Sequence, residues 1–550
     1  MARTSSPLEN RERETMDPDP LLSESDPLTG VVDYRGRPVS RASSGGWNSA
    51  LFIIGAEIPE RCAFYGITSN LIMYVTGPLG VSTAAAAAAL STWSGVSLML
   101  PLLGAFLADS YLGRYRTIVL VSLLYILSLS MLTLSALLPS VPSPHGGNTL
   151  DLQSFPASLR VPLFYVSLYL LGFAEGAHKL CLQALGADQF DDSDPKECIL
   201  KSVFFNWWFF AMSAGLPVTV LVLSYVQDNI GWGFGFGIPC IVMLFSFSVF
   251  LLGTRTYRNS VLDEESPFVR IGKTFVALAR YQEATQPRDK ALMDEHGCSF
   301  SSDHVDEAKG VLRLFGIWAT CLIYATAFVQ QSLFTKQAST LDRRIGSSFQ
   351  IPPAALQIFI NVSVLAFVPI YDRILVPITR KLSKIPSGLT MLQRIGVGIA
   401  ISLISMVIAA LVEMKRLKTA RDYGLVDQPE VAIPMSLWWM VPQYVLYGMA
   451  EVFTLVGLQE FFYDQVPDAL RSIGLALYLS IFGVGSFISS ILISAIDKQT
   501  RKGGDSWFSN NLNRAHLDYF YWLLAGLSAF GLLAFVYCAQ AYVYKKKVDI

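Results

Sequence analysis

Glu57, Glu60 and Arg61 lie inside an otherwise apolar stretch, WNSALFIIGAEIPERCAFYGITSNLIM, that runs from Trp47 to Met73. One charge at the centre of a bilayer costs about 2.5–3.5 kcal/mol on insertion scales, so three together need a reason. On a helix, positions i, i+3 and i+4 share one face. All three side chains can therefore point into one protein-lined cavity. Arg61 can pair with a carboxylate, and a carboxylate in a dry site can take up and release a proton near neutral pH. That is the minimum equipment for proton-coupled work. The plainer reading of the same residues is a fixed ion pair between helices.

Two more apolar runs carry charge. Glu175 and Lys179 stand in GFAEGAHKLCLQALGADQF, and Glu451 stands in WWMVPQYVLYGMAEVFTLVGLQEFF. A salt bridge between Lys179 and Glu451 would hold two distant parts of the chain together on one side. A proton or ligand that breaks it would free them, the differential contact that alternating access needs. The plainer reading pairs Lys179 with Glu175 one turn earlier. Gln330, Gln331, Ser332 and Gln337 offer amides and a hydroxyl in one run, and Phe204-Phe205-Asn206-Trp207-Trp208 opens another. Gln330, Asn206 and Trp207 would suit a small polar or organic ligand. A packed aromatic belt is the commoner meaning of paired Trp near an interface.

These residues need a scaffold that crosses a membrane repeatedly. The chain has 550 residues, 52% hydrophobic and 15% charged. Soluble domains carry about 25% charged residues, so the composition is that of a polytopic membrane protein. A net charge of −1 argues against a nucleic-acid partner. Seven scattered cysteines form no CxxC pair and read as buried thiols, with no metal site. The polar, acidic start shows no cleavable signal peptide. No nucleophile elbow, metal-spaced histidine cluster or phosphate loop appears, so an enzyme is not expected.

Apolar runs of about 20 residues, the length that spans a bilayer, recur about twelve times. The polar segment 255–310 divides them six and six. The expected domains are a disordered cytosolic tail (1–46), an N-terminal six-helix bundle (47–254), a cytosolic linker (255–310), a C-terminal six-helix bundle (311–545) and a short cytosolic tail (546–550). Within the linker, 267–282 has the pattern of an amphipathic surface helix. The basic tail Lys545-Lys546-Lys547 and Arg380-Lys381 place both termini in the cytosol by the positive-inside rule. The stretch Lys415-Arg416-Leu417-Lys418, read as a loop on the opposite side, violates that rule.

Two six-helix halves joined by a long loop is the layout of major facilitator transporters, whose site lies between the halves at the midplane. Asp109, Gly113, Arg114 and Arg116 between runs two and three resemble that superfamily's loop motif. Asp372 and Arg373 occupy the matching place in the second half. These charges are expected to serve gating or structure.

EIPERCAFYG resembles the ExxER motif of proton-dependent oligopeptide transporters, and Gly186 to Asp191 matches their GADQF motif. Phe205-Asn206-Trp207-Trp208, Gln459-Glu460-Phe461-Phe462-Tyr463 and STLDRRIG are similar to the plant branch, the nitrate transporter/peptide transporter family. The resemblance covers residues 47 to 545. It implies a proton-coupling cluster of Glu57, Glu60 and Arg61, with Lys179 and Glu451 handling substrate and gating. It implies proton symport of nitrate, a di- or tripeptide or a small organic metabolite or hormone toward the cytosol. No cofactor beyond the proton is expected. A transporter-like ligand sensor is the alternative. Leu180 departs from the family's usual Pro, and Glu175 from a common Gln. Phe328 stands where one nitrate-recognising branch has His.

The tail carries Asp17, Leu21 and Leu22 in the spacing of an acidic dileucine signal. Adaptor proteins read such signals in exposed, disordered segments. This favours the vacuolar membrane, with the plasma membrane as the alternative.

Overall fold

The computed structural model describes residues 27–40, 44–138, 159–191, 194–260, 300–346, 349–383, 389–466 and 471–542. The dileucine segment, the 267–282 stretch and the basic C-terminal tail lie outside the described residues.

The first half comprises α1 (Gly46–Thr68), the short α2 (Leu71–Thr76), α3 (Thr83–Leu107), α4 (Arg114–Leu137), α5 (Arg160–Ala187), α6 (Pro195–Asn229) and α7 (Trp232–Leu252). The second comprises α8 (Phe300–Phe328), the short α9 (Gln331–Ala338), α10 (Ile358–Ile370), α11 (Val376–Ser383), α12 (Met391–Asp422), α13 (Val441–Asp464), α14 (Arg471–Thr500) and α15 (Leu517–Ala541). Nine helical segments among the described residues are long and apolar enough to cross a membrane. Among the helices that fall outside that set is α1. It is long enough but carries three charges, Glu57, Glu60 and Arg61.

The halves repeat one another in detail. The first long helix of each is followed at once by a short one, α1 by α2 and α8 by α9. A π turn follows α3 at Ala108–Leu112 and α10 at Tyr371–Leu375. Single π turns often mark functional sites, and these two hold Asp109 and Asp372. Gly113 closes the first with φ of 77°, which a residue with a Cβ adopts only with strain.

Packing is inside-out relative to a soluble protein. Leu120, Leu127, Phe245, Phe530 and Leu533 lie exposed on the outer surface, as a lipid-facing belt requires. Small residues let helices approach closely inside. A Cβ on Gly95 of α3 would sit 2.9 Å from the carbonyl oxygen of Gly483 on α14, so the two halves touch backbone to backbone there.

Part of the segment expected to be a tail is ordered. β1 (Pro27–Val32) pairs antiparallel with β2 (Pro38–Ser40) and with β3 (Asn259–Ser260), which follows α7. β3 is more than 200 positions from β1, so local composition gave no sign of that pairing. A second correction concerns 415–418. The stretch is the late part of α12, not a loop. Arg416 is fully buried, and Lys415 Nζ lies 3.2 Å from the centre of the Trp439 ring. Arg416 is thus a paired interior charge, which removes it from the positive-inside count.

Candidate functional site

Glu57, Glu60 and Arg61 project from one face of α1 and are 1%, 0% and 5% exposed. Arg61 Nε donates to Glu57 Oε1 at 2.7 Å. Its Nη1 donates to Glu175 Oε1 on α5 at 2.8 Å. Glu60 Oε2 lies 3.3 Å from the same Nε. One guanidinium therefore serves three carboxylates. A buried ion pair of this kind recovers its desolvation cost only with good geometry and further hydrogen bonds. Those bonds are incomplete here. Glu57 Oε2, both Glu60 oxygens, Arg61 Nη2 and the neighbouring Tyr125 hydroxyl are buried without a hydrogen-bond partner.

A cavity of about 300 Å³ adjoins this cluster. Glu175 and Lys179 of α5 line it, with Phe64, Trp93 and Tyr447 among its aromatic walls. It lies between the halves, bounded by α1, α3 and α5 on one side and by α8, α9 and α13 on the other. Lys179 is exposed and makes no ion pair among the described residues. Neither bridge expected from the sequence forms in this conformation. Glu175 is taken by Arg61, not Lys179. Glu451 is half-buried, in reach of Tyr324, Tyr447 and Tyr478 but in no ion pair among the described residues.

Gln330 does not face the cavity. Its amide donates to the Thr326 carbonyl at 2.7 Å and to Ser489 Oγ at 2.8 Å, which fixes α8 to α14. The next residue takes the place expected of it. Gln331 lines the cavity and donates to the Tyr447 hydroxyl at 2.7 Å. The chain turns between α8 and α9 at this point, and the turn changes which residue points inward. Trp207 is 56% exposed and does not line the cavity, in keeping with the belt reading. The Asn206 side chain lies outside the described residues.

The loop motif is an ion-pair set. Arg114 Nη1 donates to Asp188 Oδ2 at 2.5 Å, and its Nε lies 3.5 Å from Asp109 Oδ1. Asp188 belongs to the GADQF stretch, a link between the two motifs that neither reveals alone. Gln189 of that stretch accepts from the Arg258 backbone N–H at 2.9 Å, and Arg258 pairs with Glu197 at 2.7 Å. Arg116 and Arg373 are exposed, and the Asp372 side chain lies outside the described residues.

Hydrogen bonds join the halves at the end where α1 finishes. Lys336 Nζ donates to Thr76 Oγ1 at 2.9 Å, and Gln357 donates to the Ser69 carbonyl at 2.8 Å. Asp228 accepts from Asn70 at 3.0 Å and lies 3.8 Å from Arg343. Arg343 belongs to the STLDRRIG stretch. Ser69 and Gln357 of this bonded set also line the cavity.

Residues 115–508 match the sequence profile of the POT family, under the family name PTR2. The chain belongs to the POT family. It is 55% identical over 546 residues to Protein NRT1/PTR FAMILY 5.10 of Arabidopsis thaliana, covering 94% of this chain and 97% of that relative. It is 50% identical to Protein NRT1/PTR FAMILY 5.14 of the same plant, covering 94% and 97%. Among solved structures it resembles an auto-inhibited POT family peptide transporter, with TM-score 0.71 and 22% identity over 91% of this chain and 98% of that one. The POT family transporter PepTSo gives 0.68 and 20%, over 90% and 98%. The chain is therefore a multi-pass membrane transporter of the major facilitator fold, in the plant NRT1/PTR branch.

The site also holds a residue that the sequence reading passed over. His178 is buried beside Glu57 and Glu60. Its position before Lys179 in an apolar run was the available signal.

Proposed function

We propose that this transporter is a proton-coupled symporter of a small solute that works by alternating access and moves its cargo toward the cytosol. One observation carries the reading. Arg61 is shared by Glu57, Glu60 and Glu175 at the edge of a cavity into which the unpaired Lys179 projects. Three carboxylates on one guanidinium leave the cluster an excess of negative charge. A proton reduces it, and so does the ammonium of Lys179 when it turns toward the cluster.

Lys179 supplies a cation for an anionic group of the cargo, and the aromatic walls supply an apolar surface for its body. Nitrate, a short peptide and a small organic acid all meet that description. The coupling ion is the proton, and no other cofactor takes part. The halves, 47–254 and 311–545, rock about the site, and Lys179 approaches Glu451 in the alternate state. Asp17, Leu21 and Leu22 direct the protein to the vacuolar membrane through adaptor proteins, where symport would export cargo from the acidic lumen.

The test is substrate-induced current in oocytes expressing the Leu21→Ala, Leu22→Ala variant, with nitrate, dipeptides and plant hormones as probes at acidic outside pH. Inward current that grows with acidity supports symport. Accumulation that ignores the proton gradient overturns it.

A further inference from the structure

His178 and Lys179 are neighbours in the chain but point to different places. Lys179 faces the cavity, whereas His178 is 2% exposed and turned into the α1–α5 contact. A ring nitrogen of His178 and carboxylate oxygens of Glu57 and Glu60 all lie within 4.8 Å of one another. His178 Nδ1 has no hydrogen-bond partner, and neither do Glu57 Oε2 or the two Glu60 oxygens. Buried polar atoms of three titratable side chains thus lie close together, with no hydrogen bond joining one side chain to another. A buried polar atom left without a partner is costly to keep.

Arg61 relieves this only in part. Its hydrogen bonds go to Glu57 Oε1 and Glu175 Oε1, and its Nε lies 3.3 Å from Glu60 Oε2 in an ion pair without a hydrogen bond. A proton placed among them supplies a hydrogen-bond donor where carboxylate acceptors crowd together. Imidazole suits that task, because one ring nitrogen can take a proton while the other releases one.

We propose that His178 is a third proton-accepting group of this site, which holds the coupling proton together with Glu57 and Glu60. The inference rests on the proton-coupled reading above. The groups that face His178 are few. From α1 come Glu57, Glu60 and Arg61, and from its own helix Glu175, while Lys179 turns to the cavity. Tyr125 of α4 meets the imidazole edge-on, with ring centres 6.4 Å apart. α3 packs against the same helix and holds no titratable side chain anywhere along Thr83–Leu107. In each cycle a proton joins the trio from water on one side. It passes between His178 and a carboxylate oxygen without any other bond forming or breaking, and leaves to water on the other side.

The test needs no substrate. Full-length protein in lipid vesicles on a solid-supported membrane is subjected to pH jumps, and the displaced charge is recorded against pH. The wild type should displace charge with a defined midpoint. His178→Asn puts an amide atom near the place of Nδ1 but cannot accept the proton. It should move less charge and shift the midpoint by about one pH unit, the scale of coupling between interacting sites. If Glu60→Gln loses the charge movement while His178→Asn keeps both amplitude and midpoint, coupling stands and this inference falls. No charge movement in the wild type overturns both. Should His178→Asn not reach the membrane, ring-15N-labelled wild type answers instead. A His178 signal that changes protonation across the midpoint supports the inference, and one that stays constant overturns it.

Discussion

Arg61 reaches from α1 to Glu175 on α5, bonding at 2.8 Å residues that stand 114 positions apart in sequence. That bond decides what Lys179 is for. A lysine one turn after a glutamate would ordinarily be claimed by it. Here the glutamate is engaged elsewhere, and the lysine is left facing the cavity.

Lys179→Ala should therefore lower transport about tenfold to a hundredfold, the scale of about 1.5–3 kcal/mol for a hydrogen bond to a charged group. Its expression and melting temperature in detergent should match the wild type, because no ion pair is lost. A drop in stability alongside transport would return Lys179 to a structural role.

The buried pair in the second half should behave in the opposite way. Arg416 Nη2 lies 2.6 Å from Glu413 Oε1, and the same nitrogen donates to the Leu512 carbonyl at 2.7 Å. Both side chains are wholly buried and distant from the cavity lining. Arg416→Ala leaves Glu413 an uncompensated buried charge and should cost about 3–5 kcal/mol. The double change Glu413→Leu, Arg416→Met should recover most of that loss, measured as thermal stability in detergent. A single variant as stable as the wild type would contradict the pairing.

These two clusters show how far the chain could be read without coordinates. Three charges within five residues of an apolar run stood out, and their helical spacing gave the shared face. Glu413 and Arg416 have the same i, i+3 spacing, but they sit late in a long helix. The apolar run ends near Val412, so Arg416 looked like the start of a loop. The Asp188–Arg114 and Glu175–Arg61 bonds lie between helices, and no local pattern encodes them. Gln330 and Gln331 exchanged roles because the helix breaks beside them, and a turn resets the phase that periodicity relies on. The β1–β3 pairing was hidden for a similar reason, since those strands meet only after six long helices have packed.

The Asp228–Arg343 contact ties α6 to the segment after α9, at the end where α1 finishes. Arg343→Ala should loosen that seal. A cysteine placed in the cavity should then react faster with a charged thiol reagent supplied from that side, by up to about fivefold for a contact worth up to about 1 kcal/mol. An unchanged labelling rate would mean that the remaining bonds close the cavity without it.

Asp33 organises the turn between β1 and β2. Its Oδ1 accepts from the backbone N–H groups of Arg37 at 2.8 Å and Arg35 at 2.7 Å. The Arg37 N–H, and secondarily the Arg35 N–H, hold its carboxyl below the ordinary carboxylate value. A pKa lowered by folding means the stabilisation is present above about pH 4 and is lost as pH falls through the folded value. Amide exchange at Arg35 and Arg37, corrected for its intrinsic pH dependence, should rise under acid. Asp33→Ala should raise it at neutral pH. Equal protection in both proteins at neutral pH would contradict this.

The central claim is that the α1 cluster couples a proton to transport, and Glu60→Gln tests it most directly. Both Glu60 oxygens are buried without a hydrogen-bond partner, so the amide removes the titrating group at little steric cost. The measurement is uptake of a transported probe into vesicles, first driven by a pH gradient and then as exchange at equal pH. Glu60→Gln is expected to lose gradient-driven accumulation and to retain exchange. Full accumulation by that variant would contradict the claim.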